Sequence, residues 1–166
     1  MPKTYNLHGN IDQEMLDKFV EFLNDTPEEH VTVYLASGGG SAPIAAVLCE
    51  ILSDPRFTLC AYDQISSSAF WLFFKAGCKK RLIHGCEGMM HQMTFTVDLN
   101  EKGKPTGQIE NTHQDVIDFY AKHSESFMLE LNPTSKEKNM FREGFDVMFS
   151  PDRMCEILSN QTNGSK

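Results

Sequence analysis

Three adjacent serines, Ser66, Ser67 and Ser68, stand between a strand-like apolar run and a helical one. His91 ends a second apolar segment, and Asp146 precedes a serine–proline helix start. A serine, a histidine and an aspartate form a general-base set, in which the acid orients the imidazole and the imidazole accepts the hydroxyl proton. These residue types therefore predict nucleophilic acyl transfer if the fold brings them together.

A second chemical feature is SGGGS at residues 37–41, directly after the strand-like run VTVYLA. Glycines at a strand end expose backbone N–H groups, and two such groups near a nucleophile can stabilise an oxyanion. The dinucleotide and P-loop patterns both fail here, because Ala42 and Pro43 follow the glycines and no Gly-Lys-Ser/Thr is present. Taken alone, the serine segment is better explained as a helix cap. Together with the histidine and the aspartate, it is better explained as the site of a nucleophile.

Alternating strands and helices must position these residues. We expect strands at residues 4–7, 31–36, 57–62, 81–84 and 88–91, and helices at residues 12–23, 43–52 (a buried helix), 67–75, 111–131, 134–144 and from 150 onward. This alternation predicts βαβ units, a mostly parallel sheet and the α/β class. Residues 94–108 predict a hairpin. We expect one domain over residues 1–158 and a flexible tail over residues 159–166.

The composition excludes several classes of protein. The chain has 166 residues, 40% of them hydrophobic and 23% charged, which is enough for one core without metals or disulfides. A formal net charge of −8 argues against a nucleic-acid partner, which needs a concentrated basic face. No apolar run is long enough for a membrane span and no signal core begins the chain, so we expect a cytoplasmic protein without a membrane partner.

The five cysteines are an odd number without CxxC spacing, and most lie in apolar runs. This pattern is typical of buried free thiols in a reducing compartment. His84, Cys86 and His91 match no common zinc spacing. We therefore expect no metal and no cofactor.

Several segments, in this order, resemble the proteolytic subunit of the Clp protease: HGNID, VTVYLASGGGS, IAAVLCEIL, TLCAYDQ, SSSAFWLFFKAGCKKRLIHGCEGMMHQ and FDVMFSPD. The resemblance spans about residues 5 to 158. It extends more loosely to signal-peptide-peptidase-A-like and phage head-maturation serine peptidases. It implies an α/β crotonase-like fold of repeated ββα units, with a mostly parallel sheet flanked by helices and a handle-like hairpin and long helix.

The resemblance also assigns roles to individual residues. It places Gly39 and Gly40 beside the substrate and makes the Gly40 N–H one oxyanion donor. The family's MIHQ falls on residues 89–92, which makes His91 the general base. The family's aspartate before a helix-capping serine falls on Asp146, and Glu143 is an alternative acid one helical turn earlier.

The nucleophile is open between Ser66 and Ser67. Aligning the strand residues TLC or the Ala69–Phe70 pair with the family selects Ser66. Aligning Gln64, the strand start after Pro55 or the Lys80–Arg81 pair selects Ser67, and aligning the Ala76–Gly77 pair selects Ser68. The family keeps small residues just before the nucleophile and two places after it. That ranks Ser67 first, Ser66 second and Ser68 third, with the Ser68 backbone N–H as the second oxyanion donor.

The resemblance implies a serine endopeptidase that cleaves peptides or unfolded proteins as a homo-oligomeric ring, with a heptamer as one candidate size and an AAA+ unfoldase as a candidate partner. Gly38 replaces the family's proline, Ile65–Ser66 replaces Ala-Ala, and the N-terminal pore loops and closing strand are missing, which argues against unfoldase docking. Two alternatives stay open. One is an inactive subunit that assembles with or regulates a protease ring, and the other is a crotonase-type acyl-CoA enzyme.

Overall fold

The computed structural model describes residues 3–27, 29–92 and 112–164, with residues 112–120 described as backbone only. The chain divides into two compact units. The first is formed by Met1–Met90 and Met148–Lys166, and the second by His91–Val147. The single domain expected over residues 1–158 stays a prediction, and the hairpin expected at residues 94–108 lies outside the described residues.

The described residues form six strands and six helices. The strands are β1 (Lys3–Ile11), β2 (Val31–Gly40), β3 (Phe57–Ser66), β4 (Lys79–Leu82), β5 (Glu87–Met90) and β6 (Val147–Phe149). The helices are α1 (Gln13–Asn24), α2 (Ala42–Leu52), α3 (Ser68–Lys75), α4 (Thr112–Glu130), α5 (Ser135–Arg142) and α6 (Pro151–Asn163).

Three helices begin where the sequence predicts a capping side chain. Asp12 accepts from the Met15 N–H at 3.0 Å at the start of α1. Thr134 and Glu137 form a reciprocal capping box on α5, and Ser150 caps α6. A side-chain oxygen at this position replaces the carbonyl that the first turn lacks. These three predicted helix starts are confirmed.

The six strands form one sheet in the order β1-β2-β3-β5-β6, with β4 also paired to β3. The pairs β1–β2, β2–β3, β3–β4 and β3–β5 are all parallel. Strand β4 pairs with the first half of β3, and β5 pairs with the last residues of β3. Both short strands therefore pair with β3, at different parts of its length. The α/β class with a mostly parallel sheet flanked by helices is confirmed.

The core of the first unit consists of strand and helix side chains packed around β2 and β3. Val31, Val33 and Leu35 of β2 are fully buried, as expected for a central strand of a parallel sheet. On α3, the Phe70 ring stacks on Phe149, with 5.0 Å between the ring centroids. Helix α3 is therefore fixed against the sheet next to the end of β3.

Several element boundaries differ from the sequence prediction. Strand β2 does not end at residue 36 but continues to Gly40, because β1 pairs with Gly39 and Gly40. Strand β3 likewise continues to Ser66, and the short strand β6 was not predicted.

One predicted property of the helices also differs from the structure. Helix α2 is not buried throughout, since Val47 is 44% exposed. Helix α6 reaches Asn163, and the flexibility expected for residues 159–166 stays a prediction. Within residues 3–27, 29–92 and 112–164, no helix combines the length and the hydropathy needed to cross a membrane.

Candidate active site

The three adjacent serines have three different environments. Ser66 is 3% exposed, and its Oγ has no hydrogen-bond partner among the described residues. Ser68 is 7% exposed, and its hydroxyl donates to the Gly40 carbonyl at 3.2 Å. Ser67, between them, is only half-buried. A substrate can therefore reach Ser67 more easily than either neighbour.

Ser67 lies at the junction of β3 and α3 with φ 55° and ψ −124°. Positive φ is uncommon outside glycine, and a strained strand-to-helix turn is the way in which many serine hydrolases project their nucleophile. Ser67 is the N-cap residue of α3, yet its side chain makes no capping hydrogen bond. The interpretation of the serines as a simple helix cap therefore does not account for Ser67.

The glycines of β2 are packed tightly on two sides. A Cβ atom on Gly39 (φ 101°) would lie 2.8 Å from the Ser67 Cβ and 2.8 Å from the Ser66 carbonyl oxygen. A Cβ atom on Gly40 (φ 148°) would lie 2.8 Å from the Asn10 Oδ1 and would overlap the Ile11 carbonyl. Carbon atoms in contact normally stay about 3.5–4.0 Å apart. Only glycine fits at these two positions.

The glycine segment and the serine segment are also joined by the backbone of the sheet. Ser37 pairs with Ile65 in the β2–β3 ladder. The Ser67 N–H donates to the Met89 carbonyl at 2.8 Å, at the end of β5. The backbone at Ser67 is thus fixed by β5 and by the close packing of Gly39.

In the second unit, His91 and Asp146 lie next to each other. The distance between His91 Nδ1 and Asp146 Oδ1 is 3.6 Å. This is longer than an N–H···O hydrogen bond of about 2.7–3.2 Å. The His91 side chain is 27% exposed and the Asp146 side chain 62% exposed.

The structure therefore brings the candidate residues together as two groups. Ser66, Ser67 and Ser68 lie with Gly39 and Gly40 in the first unit, and His91 and Asp146 lie together in the second.

Two hydroxyl groups of the site make contacts that the sequence did not predict. Ser37 is 5% exposed, and its Oγ accepts from the Gly39 N–H at 3.0 Å. The resemblance implies a nucleophile or a backbone donor at Ser68, whereas its side-chain hydroxyl donates to the Gly40 carbonyl. A serine two residues before a glycine is a pattern typical of a serine turn. That pattern could have identified Ser37, whereas the Ser68 contact depends on the tertiary structure.

The three buried cysteines, Cys60, Cys78 and Cys86, are unsuited to nucleophilic or metal-binding roles. Burial raises the pKa of the Cys86 thiol to about 11, and it also raises the pKa values of Cys60 and Cys78. A protonated thiol is a poor nucleophile and a poor metal ligand. Among the described residues, no group of three or more His, Cys, Asp or Glu side chains is arranged to hold a metal ion.

In comparisons with known proteins, no family model matches the chain, and no curated protein has significant sequence similarity to it.

Proposed function

We propose that this protein is a cytoplasmic serine endopeptidase of the Clp proteolytic-subunit type, with a crotonase-like fold. The observation that carries the proposal is the conformation of Ser67. A half-buried serine at φ 55° and ψ −124°, at a strand-to-helix junction and without a capping bond, needs an explanation other than helix capping. Strain of this kind costs about 1–3 kcal/mol and is concentrated at functional sites.

In the proposed reaction, the Ser67 Oγ attacks the carbonyl carbon of the scissile peptide bond while His91 accepts the hydroxyl proton. Asp146 stabilises the resulting imidazolium. The tetrahedral intermediate collapses when His91 gives the proton to the leaving amine, which leaves an acyl ester on Ser67. Water, deprotonated by His91, then hydrolyses this ester and restores the serine hydroxyl.

Two backbone groups stabilise the negative oxygen of the tetrahedral intermediate, namely the N–H groups of Gly40 and Ser68. Ser68 is the first residue of α3, so its N–H has no acceptor within the helix. The helix dipole adds partial positive charge at the same place. Losing one such donor typically slows acyl transfer by about 10²- to 10³-fold.

The substrate is proposed to be a peptide or an unfolded protein, and the active form a homo-oligomeric ring. Compartmental proteolysis of this type needs no cofactor and no nucleic acid. Sedimentation velocity on the purified chain tests the assembly, and a purely monomeric protein would exclude the ring.

The nucleophile is tested by labelling the purified protein with a fluorophosphonate and locating the adduct by mass spectrometry. We expect one adduct per chain, on Ser67, and none in Ser67→Ala. Ser66→Ala is the matched control, because it removes the neighbouring hydroxyl and leaves Ser67 in place. An adduct on Ser66 would assign the reaction to that residue, and no adduct on an assembled oligomer would refute the peptidase function.

A second candidate, a non-catalytic subunit of a protease ring, is favoured by the distance of 3.6 Å between His91 and Asp146 and by the exposure of that aspartate. Catalytic hydrogen bonds are often loose before substrate binds, so this distance alone does not decide. Labelling decides, because a non-catalytic subunit would assemble without reacting.

A further inference from the structure

We propose that the hydroxyl groups of Ser37 and Ser68 are positioning groups that hold the Gly39–Gly40 segment with the Gly40 N–H directed to the start of α3. The inference rests on the proposed function, since it concerns the placement of an oxyanion donor. Both side chains are buried, at 5% and 7% exposure, so water competes weakly for their hydrogen bonds.

Ser37 determines which glycine can donate to an oxyanion. The Gly39 N–H is bound to the Ser37 Oγ at 3.0 Å and is therefore occupied. The same Oγ also lies 3.5 Å from the Gly39 carbonyl oxygen, which is a loose contact. The Gly39 C=O and the Gly40 N–H belong to one trans peptide group, in which they point to opposite sides. Because the Gly39 carbonyl faces Ser37, the Gly40 N–H points away from Ser37.

Ser68 fixes the next peptide plane. The Ser41 N–H donates to the Ile11 carbonyl at 2.8 Å, on the side of β1. The Gly40 carbonyl, at the other end of the same peptide, accepts from Ser68 at 3.2 Å, on the side of α3. In a strand, the N–H and the C=O of one residue point to the same edge. The Gly40 N–H is therefore directed to the side on which Ser67 and Ser68 lie.

These hydroxyls add to the restraint that pairing with β1 places on Gly39 and Gly40. The segment contains three consecutive glycines, each of which has access to more backbone conformations than any other residue. A Cβ atom on Gly38 would meet nothing within 4 Å, so packing does not restrain that end of the segment. The hydrogen bonds of the two hydroxyls therefore supplement the pairing with β1.

Ser37→Ala and Ser68→Ala test the inference. Both variants should lower the maximal inactivation rate kinact of a fluorophosphonate on Ser67 by about ten- to a hundredfold, with KI unchanged. Amide hydrogen exchange at Gly39 should accelerate about tenfold in Ser37→Ala, because its acceptor is lost. Ser53→Ala is the matched control, since the Ser53 Oγ accepts from the Gly77 N–H at 2.9 Å at the opposite end of α2, and it should change neither quantity.

The threonine variants Ser37→Thr and Ser68→Thr keep a hydroxyl group and should retain most of kinact, which a general loss of folding would not allow. If exchange at Gly39 accelerates but kinact is unchanged in both alanine variants, the positioning role is wrong and the proposed function stands. If wild-type Ser67 does not react at all, the proposed function fails and the positioning role with it. Equal losses in the alanine and threonine variants would also contradict the role of the hydroxyls.

Discussion

At the residue scale, the hydroxyl of Ser66 is the least explained group next to the proposed nucleophile. It is buried and has no partner among the described residues. A buried unpaired polar group costs about 1–3 kcal/mol, so its removal relieves a penalty. We expect Ser66→Ala to leave the free energy of unfolding in urea unchanged or to raise it by up to about 1 kcal/mol.

Ser68→Ala is the matched comparison for Ser66→Ala, since it removes a hydroxyl that does form a hydrogen bond. It should lower the free energy of unfolding by about 1 kcal/mol. A larger loss in Ser66→Ala than in Ser68→Ala would mean that the Ser66 hydroxyl has a partner in solution.

Asp63 is a second strained residue, with φ 56° in the middle of β3. The left-handed conformation costs an L-residue about 1–2 kcal/mol, whereas glycine adopts it freely but loses more entropy on folding. The conformational penalty that Asp63→Gly removes is larger than the entropy that glycine loses. We therefore expect this variant to raise the free energy of unfolding by up to about 1 kcal/mol. Asp63→Ala removes the carboxylate but keeps the strain, and an equal gain in that variant would attribute the effect to charge instead.

At the element scale, the packing of β2 against the start of α3 depends on glycine at one position and not at its neighbour. A Cβ atom on Gly39 would overlap Ser66 and Ser67, and the residue has φ 101°. Gly38→Ala adds the same methyl group where nothing lies within 4 Å. We expect Gly39→Ala to lose at least about 2 kcal/mol of stability and most fluorophosphonate reactivity, and Gly38→Ala to change stability by less than about 0.5 kcal/mol. Equal effects in thermal unfolding would show that the segment moves to accommodate side chains.

Sequence patterns identified the elements that carry strong local signals. The capped helices α1, α5 and α6 follow from single side chains at their starts. The continuation of β2 through its glycines could not be predicted, because glycine disfavours strands and pairing with β1 overrides that preference. Strand β6 has only three residues, too few for an alternating pattern.

The ambiguity about the nucleophile has a structural cause in β3. Leu35 pairs with Ala61 and Ser37 with Ile65, so β3 advances 65 − 61 = 4 residues where β2 advances 37 − 35 = 2. The strand residues TLC, before this irregularity, select Ser66, and Gln64, within it, selects Ser67. The Ala69–Phe70 pair, after it, also selects Ser66, so the irregularity accounts for part of the ambiguity. One-dimensional patterns cannot show such a bulge, whereas the residue types of the site, serine, glycine, histidine and aspartate, were visible in the sequence.

At the scale of the whole molecule, buried thiols make the free energy of unfolding depend on pH in the alkaline range. Burial raises the pKa of Cys86 from 9.0 to about 11, so the folded protein keeps this proton at a pH where the unfolded chain has lost it. Above about pH 9 the unfolded state therefore binds fewer protons than the folded state. The free energy of unfolding falls as the pH rises, until the pH exceeds the pKa of Cys86 in the folded protein. The slope is at most about 1.4 kcal/mol per pH unit for one thiol.

Urea unfolding at intervals from pH 7.5 to 10.5 measures this dependence, and Cys86→Ala should flatten the decline above about pH 9. Cys155→Ala is the comparison substitution, since Cys155 is exposed on α6 and acts on Cys86 only through its charge. It should therefore leave most of the decline in place. Lysines and tyrosines also titrate in this range, but both variants keep them, so the difference between the two profiles isolates the buried thiol. Parallel profiles for the two variants would contradict a raised pKa at Cys86, because a thiol with the same pKa in both states adds no pH dependence to unfolding.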